Sequence, residues 1–490
     1  MNNKRYACIA AVLVALALSC NNTPNSTGGT NKGTTGSQFE FFSENLAAGN
    51  LKKIINAADS INSLPAIDNR LKEYADSVSQ IAQRLYLCFS LNGSQIDARL
   101  ENIFGKFSDE EKMEWEKKKW LEYRIIDGEK RYFNRAASNL SLLKMFYEDK
   151  SGRKKAAADD SIKIYRLNHT EKVIEASRNS SVPALPVKMK VTYTLTVNAD
   201  AVPDGETIRC WLPLPQNGHP RQKFISLVEQ SENSYILSPD TAIHTSIYME
   251  KKAKSGEPAV FKAVFLYQSA AQYFNPDNIK AEAYDKNSEL YKKYTSEQLP
   301  QIHFSEKIKM LADSIVSSDE KPNIIVDKIY TWFKDCIPWT GALEYSVMPD
   351  IPGYTLENRR GDCGMQTLLF MSMLRYKGVP VRWQSGWMVP AKGKNLHDWC
   401  EVYYEGTGWV PVDISYDLQV TENRQLKYFF MSGIDSYRLI VNNGISGPLH
   451  PAKKHLRSEP YDFQRGEVEW NGGNLYFDKW NYDMKVEPQQ

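Results

Sequence analysis

Residues 359–383 read RRGDCGMQTLLFMSMLRYKGVPVRW, and this stretch carries the strongest structural signal in the chain. Cys363 lies between an acidic residue and a glycine, and the run from Met365 to Tyr376 that follows is almost entirely apolar. A segment that is apolar on nearly all sides predicts a buried central helix, which Gly378 and Pro380 would end. Cys363 is then either a small core residue or a nucleophile at the tip of that helix.

The position of Cys363 suits nucleophilic chemistry. Free cysteine has a pKa of about 8.5, and the thiolate is the attacking form. The positive end of a helix and a neighbouring imidazolium both favour the thiolate, so a thiolate–imidazolium pair can form. The backbone N–H of Cys363, in the first helical turn, is also free to donate to an oxyanion.

Two residues of the required types follow in order. His397 opens one predicted strand, and Asp413 lies in the next, beyond the turn at 405–408. Adjacent antiparallel strands can place these two side chains together. The histidine would then move the proton, and the aspartate would orient its ring. Each residue alone has an ordinary structural explanation, but their order favours a catalytic set of Cys363, His397 and Asp413.

The same region resembles the transglutaminase-like superfamily, whose members share a papain-like fold. The resemblance covers about residues 300–440. It rests on Arg359 or Arg360 with Gly361 and Cys363, on Gly378-Val379-Pro380-Val381-Arg382, on His397-Asp398-Trp399-Cys400-Glu401-Val402, and on Gly408-Trp409-Val410-Pro411-Val412-Asp413. It implies an α+β fold in which the helix bearing the cysteine packs on an antiparallel sheet, with the same three residues as the catalytic triad.

Some features depart from the family pattern or are only implied by it. Asp398 stands where alanine is common. Asp362 would oppose thiolate formation if it faced the sulfur, so we expect it to point outward. The resemblance also implies a side-chain oxyanion donor upstream of the cysteine, for which Trp339 is the candidate, whereas Trp332 is expected to pack in its helix.

Composition and periodicity divide the chain into six segments. These are a lipoprotein signal peptide (1–20), a flexible linker (21–38), a mainly helical domain (39–185), a β-sandwich-like domain (186–295), the transglutaminase-like catalytic core (296–445) and a C-terminal strand-containing tail (446–490). Within them, Ser108 and Glu111 form a capping-box pattern, and Asp127-Gly128 predicts a hairpin. Alternating apolar residues from Val187 to Val197 predict a half-buried strand.

The N-terminus has the pattern of an export signal. Lys4 and Arg5 precede an apolar run that ends in Ala17-Leu18-Ser19-Cys20, which resembles a bacterial lipobox with Ala17 where leucine is usual. We therefore expect lipid on Cys20 and a protein anchored in the bacterial cell envelope, facing the periplasm or the exterior. Plain secretion and an uncleaved anchor remain as alternatives. No later segment approaches the ~20 apolar residues of a membrane span.

Charge and cysteine count exclude several classes of protein. Removing residues 1–20 removes two basic residues and no acid, which leaves 59 Lys and Arg against 59 Asp and Glu. A chain without a basic field is not expected to bind nucleic acid. Five scattered cysteines remain outside the leader, a poor disulfide framework. No nucleotide or metal-binding motif is present, so we expect no cofactor and no metal.

The favoured hypothesis is an exported cysteine-dependent acyl-transfer enzyme that hydrolyses a peptide or amide bond through a thioester. Its substrate would be a peptide, a protein or a peptidoglycan-derived molecule. The alternatives are a protein-glutamine transglutaminase, in which an amine resolves the thioester, and a non-catalytic peptide- or glycan-binding lipoprotein with the same fold.

Overall fold

The computed structural model describes residues 32–65, 67–148, 161–317, 320–390, 393–416 and 418–489. The predicted signal peptide and its lipidation site Cys20 lie outside the described residues. The described residues divide into two compact units, one within residues 32–148 together with 340–350 and the other within 161–339 together with 351–489.

The first unit is mainly helical. Its elements are α1 (Lys32–Ala48), α2 (Leu51–Ser63), α3 (Asn69–Cys88), α4 (Gly93–Phe104), α5 (Asp109–Lys117), β1 (Tyr123–Ile126), β2 (Glu129–Tyr132) and α6 (Ala136–Tyr147). The predicted capping box is confirmed, because the Ser108 hydroxyl accepts from the Glu111 N–H and the Glu111 carboxylate accepts from the Ser108 N–H. The hairpin is also confirmed, with positive φ at Asp127 and Gly128 as a two-residue turn requires.

Helix α1 begins at Lys32, within the segment predicted to be a flexible linker. The rest of that linker, 21–31, lies outside the described residues. Phe42 and Leu46 are buried and fasten the C-terminal half of the helix to its unit. Once a helix is nucleated, each further residue is added at little cost, so the helix can extend into a polar stretch.

The second unit combines helices with three sheets. Its helices are α7 (Ser161–Ala176), α8 (Glu289–Thr295), α9 (Glu306–Ile315), α10 (Pro322–Cys336), α11 (Ile351–Asn358), α12 (Cys363–Tyr376) and α13 (Arg424–Lys427). Its strands are β3 (Ala184–Val197), β4 (Thr207–Pro213), β5 (Gln222–Gln230), β6 (Tyr235–Leu237), β7 (Ser246–Lys252), β8 (Ala259–Tyr273), β9 (Val381–Met388), β10 (Asn395–Tyr404), β11 (Gly408–Val412), β12 (Gly433–Ile434), β13 (Arg438–Asn442), β14 (Glu467–Trp470), β15 (Gly473–Leu475) and β16 (Trp480–Gln489).

Two five-stranded sheets share one hydrophobic core. One contains β12, β8, β3, β16 and β5, and the other runs β15-β14-β4-β7-β6. From Met189 to Val197, strand β3 buries every second residue, as its sequence predicts. Strands β14 and β16 pair with β4 and β3. The segment predicted as a separate tail therefore completes both sheets, which local patterns do not show because the pairing spans more than 250 residues of chain.

The catalytic-core region is a four-stranded antiparallel sheet in the order β11-β10-β9-β13, with α12 packed on β10 and β9. Helix α12 is buried from Cys363 to Arg375, as the apolar run predicts. Trp387 and Leu439 of this sheet also belong to the core of the two five-stranded sheets. The predicted domains 186–295 and 296–445 therefore form one compact unit, and the predicted α+β fold class is confirmed.

Across the residues that the structure describes, none of the helices combines the length and the hydrophobicity needed to cross a membrane.

Candidate active site

Cys363 is the first residue of α12 because Asp362 caps the helix. The Asp362 side chain accepts a hydrogen bond from the Met365 N–H at 3.1 Å, which satisfies one of the donors left free at a helix start. The Asp362 carboxylate therefore lies at the helix N-terminus rather than pointing fully outward. Cys363 is buried, with 9% of its surface exposed.

His397 and Asp413 meet across the hairpin of β10 and β11. Cys400 pairs with Val412, so Asp413 follows the last paired residue and reaches back towards His397. His397 Nε2 lies 2.7 Å from Asp413 Oδ2, and both residues are buried. The other carboxylate oxygen accepts from the Ser415 hydroxyl at 2.9 Å. The expected pairing of these two side chains is present.

Arg438 is a member of the site that the sequence analysis missed. Its guanidinium lies 2.9 Å from Asp413 Oδ2 and 2.9 Å from Asp435 Oδ2, and the side chain is fully buried. It comes from β13, which borders β9 rather than β10. An arginine at the start of the apolar run Leu439–Val441 is the signal that could have marked it, since charged residues are rarely buried unless paired.

Aromatic rings hold the imidazole in place. Tyr416 stacks on His397 with ring centroids 5.0 Å apart, and Trp399 stacks at 6.0 Å. The Arg438 guanidinium also lies near both of these rings, 5.2 Å from the centroid of Trp399 and 5.1 Å from that of Tyr416. This cluster restricts rotation of the imidazole about its side-chain bonds.

The electrostatic surroundings assign a neutral histidine. Burial lowers the pKa of His397 by more than Asp413 raises it, so the ring is neutral at pH 7. Burial opposes ionisation of Asp413, but His397 and Arg438 outweigh it and hold the pKa of that carboxyl well below its usual value. The Nε2–H then donates to Asp413. No hydrogen bond among the described residues engages Nδ1, which leaves that nitrogen to accept a proton.

Cys363 forms a hydrogen bond with Asp398, the residue that follows His397 in β10. The thiol donates to Asp398 Oδ2 at 3.3 Å. Successive strand residues point to opposite faces, so His397 turns towards Asp413 while Asp398 turns towards α12. Burial, then the charges of Asp398 and Asp362, raise the pKa of Cys363 well above its usual value. The described residues show no hydrogen bond from Cys363 to His397, and the resting pair is a thiol with a neutral imidazole.

Trp339 lies beside the loop that precedes Cys363. Its backbone forms a parallel bridge with Gly361, whose N–H donates to the Pro338 carbonyl at 3.3 Å. The Trp339 side chain is 39% exposed, so it is accessible to a substrate, and its role as an oxyanion donor stays a prediction. Trp332 packs edge-on against Phe333 in α10, as expected.

No group of three or more His, Cys, Asp or Glu side chains in the described ranges is arranged to hold a metal ion. The described cysteines are all free: Cys88, Cys210, Cys336, Cys363 and Cys400.

Comparison with known proteins identifies the region that holds the site. Residues 309–414 match the family model of the transglutaminase-like superfamily. That range contains Cys363, His397 and Asp413, and it lies inside the 300–440 region where the sequence resemblance was found. No curated protein matches the chain.

Several solved structures show weak likeness. A candidate cysteine protease from Cytophaga hutchinsonii is 12% identical over 63% of this chain and 92% of its own, with a TM-score of 0.43. The periplasmic domain of TgpA from Pseudomonas aeruginosa is 14% identical over 55% of this chain and 96% of its own, with a TM-score of 0.24. A candidate protease from Parabacteroides distasonis is 9% identical over 42% and 62%, at 0.18. Likenesses this weak carry no argument about the chemistry of this chain.

Proposed function

We propose that this protein is a cysteine-dependent acyl-transfer enzyme that hydrolyses a peptide or amide bond, since residues 309–414 match the family model of the transglutaminase-like superfamily. The observation that carries the proposal is the buried 2.7 Å hydrogen bond between His397 and Asp413. It orients a neutral imidazole next to the residue that contacts the Cys363 thiol. A neutral, oriented imidazole is the state that a general base requires.

The chemistry follows from these protonation states. In the proposed reaction, His397 Nδ1 takes the thiol proton of Cys363 as the sulfur attacks the carbonyl carbon. Asp413 stabilises the orientation and charge of the resulting imidazolium, and Arg438 holds the Asp413 carboxylate in place. The Cys363 N–H, with Trp339 as the second donor, stabilises the oxyanion. The imidazolium then protonates the leaving amine, and water activated by the same imidazole releases the acid from the thioester.

Location and substrate belong to the same proposal. The lipobox at Cys20 supports an anchor in the bacterial cell envelope. Substrates available there include peptides, proteins and peptidoglycan-derived molecules, each of which contains the amide carbonyl that the thiol would attack.

The test compares Cys363→Ser with Cys336→Ser, which removes a partly exposed cysteine of α10 outside the site. A peptide-like electrophilic probe should label the wild type and Cys336→Ser at Cys363, and Cys363→Ser should show no labelling there and no turnover of a peptide library. Equal turnover by Cys363→Ser would remove Cys363 from the mechanism. Products coupled to an added primary amine would favour the transglutaminase over the hydrolase.

The contact between Cys363 and Asp398 favours a second candidate, a non-catalytic protein that holds a peptide or glycan on the same fold. A thiol kept protonated by a carboxylate is poorly reactive. Wild-type protein that binds a peptide library without probe labelling or turnover would establish this alternative.

A further inference from the structure

The Asp398 side chain makes hydrogen bonds of its own, apart from the bond between the side chains of His397 and Asp413. Its Oδ2 accepts from the Cys363 thiol at 3.3 Å, and its Oδ1 accepts from Gln464 Nε2 at 2.8 Å. The same Gln464 nitrogen donates to the His397 carbonyl at 3.1 Å. Asp398 is 3% exposed, so its position is set by the protein and not by solvent.

The charged surroundings of Asp398 are mainly acidic. Asp362 approaches from the start of α12, and Asp462 and Glu459 approach from the segment before β14, where Arg465 pairs with Glu459 at 2.5 Å. Burial, then Asp462 and Asp362, raise the pKa of Asp398 well above its usual value. Burial and Glu459 raise the pKa of Asp462 to about 8, while Arg465 and Arg457 oppose this rise.

We propose that Asp398 is a further residue of the reacting site, which keeps the Cys363 thiol protonated in the resting protein. This proposal depends on the proposed function only because it takes the sulfur of Cys363 as the reacting atom. When the Cys363 thiol loses its proton, the charge of ionised Asp398 repels the resulting thiolate at hydrogen-bond distance in this buried site. Reactivity therefore rises when that negative charge is removed, either by protonation or by an approaching cationic group.

Replacing the carboxylate with an amide reverses this effect. In Asp398→Asn the side-chain oxygen can still accept from Gln464, while its N–H can donate to a thiolate. The thiolate is then stabilised where it was previously repelled. A lower thiol pKa also makes each thiolate somewhat less nucleophilic, but the gain in the thiolate fraction is larger.

The experiment measures alkylation of Cys363 by iodoacetamide across pH, followed by mass spectrometry of the peptide that contains it. Asp398→Asn should react about tenfold faster than the wild type at pH 7.5, with its pH midpoint displaced downward. Asp398→Ala should also react with a lower midpoint because it removes the charge. Asp483→Asn, which neutralises a carboxylate that is 77% exposed, should match the wild type.

Two results would overturn the proposal. The first is an unchanged pH midpoint in folded Asp398→Asn or Asp398→Ala, as expected of a purely structural residue. The second needs no variant: a wild-type midpoint at or below that of free cysteine would show that the thiol is not held protonated. Alkylation does not require turnover, so failure of the hydrolase proposal in the Cys363→Ser assay would be seen separately.

Discussion

Asp413→Asn perturbs the centre of the site with little change in shape. The wild-type carboxylate accepts from His397 at 2.7 Å and from the Ser415 hydroxyl at 2.9 Å, and it is paired with Arg438. An amide nitrogen in place of Oδ2 would face the Nε2–H of His397, donor against donor. The imidazole would then place its proton on Nδ1 and accept at Nε2, which leaves it unable to take the thiol proton.

The structure sets two magnitudes for this variant. The wrong tautomer should lower kcat by a factor of about 10² to 10⁴. Two carboxylates flank the buried Arg438, and the variant leaves only that of Asp435. The loss should reduce the free energy of unfolding by about 3 kcal/mol. Because the pKa of Asp413 is lowered in the folded protein, its stabilisation is present above the unfolded value of about 3.9 and is lost below it.

The assay combines steady-state kinetics with urea unfolding at several pH values. The difference in unfolding free energy between wild type and variant should stay constant from pH 7 to about 4 and shrink as the pH falls further. Asp435→Asn is the matched control, since it removes the other carboxylate of Arg438 without touching His397, and it should lose stability while largely keeping kcat. A raised KM with kcat unchanged in Asp413→Asn would remove Asp413 from the catalytic set.

Three further changes test other parts of the structure. Arg438→Met should remove a positive charge that lowers the pKa of His397 and so move the acid limb of the pH–rate profile to higher pH, and an unmoved limb would show that Arg438 does not act on the imidazole. Gly386→Ala should lower the free energy of unfolding by about 3 kcal/mol, because a Cβ there would lie 2.0 Å from the Leu439 carbonyl oxygen; urea unfolding at an unchanged midpoint would contradict this. Cys20→Ala should shift the protein from the membrane fraction to the soluble fraction without loss of activity, and sedimentation of the variant with membranes after a high-salt wash would favour an uncleaved leader.

Local sequence patterns were sufficient for the elements that carry the site. The apolar run after Cys363 predicted a buried helix with the cysteine at its start, and the structure has α12 from Cys363 to Tyr376. The two adjacent predicted strands and the turn between them predicted that His397 and Asp413 could meet, and they do so from β10 and the end of β11. These features depend on side-chain periodicity and on pairing across one short turn, both of which a single segment encodes.

Only the tertiary structure decided which partners complete the site. Arg438 reaches Asp413 from β13, and Gln464 reaches Asp398 from the segment before β14, because the chain returns to the same sheet after long intervals. The sequence placed the thiol with His397, whereas packing of α12 on the other face of β10 directs it to Asp398. The order of residue types along the chain determined the chemistry that this site offers. Consecutive strand residues face opposite sides of a sheet, and long-range packing places α12 on one of those sides. Together these determined that Asp398, and not His397, accepts the thiol hydrogen of Cys363 at rest.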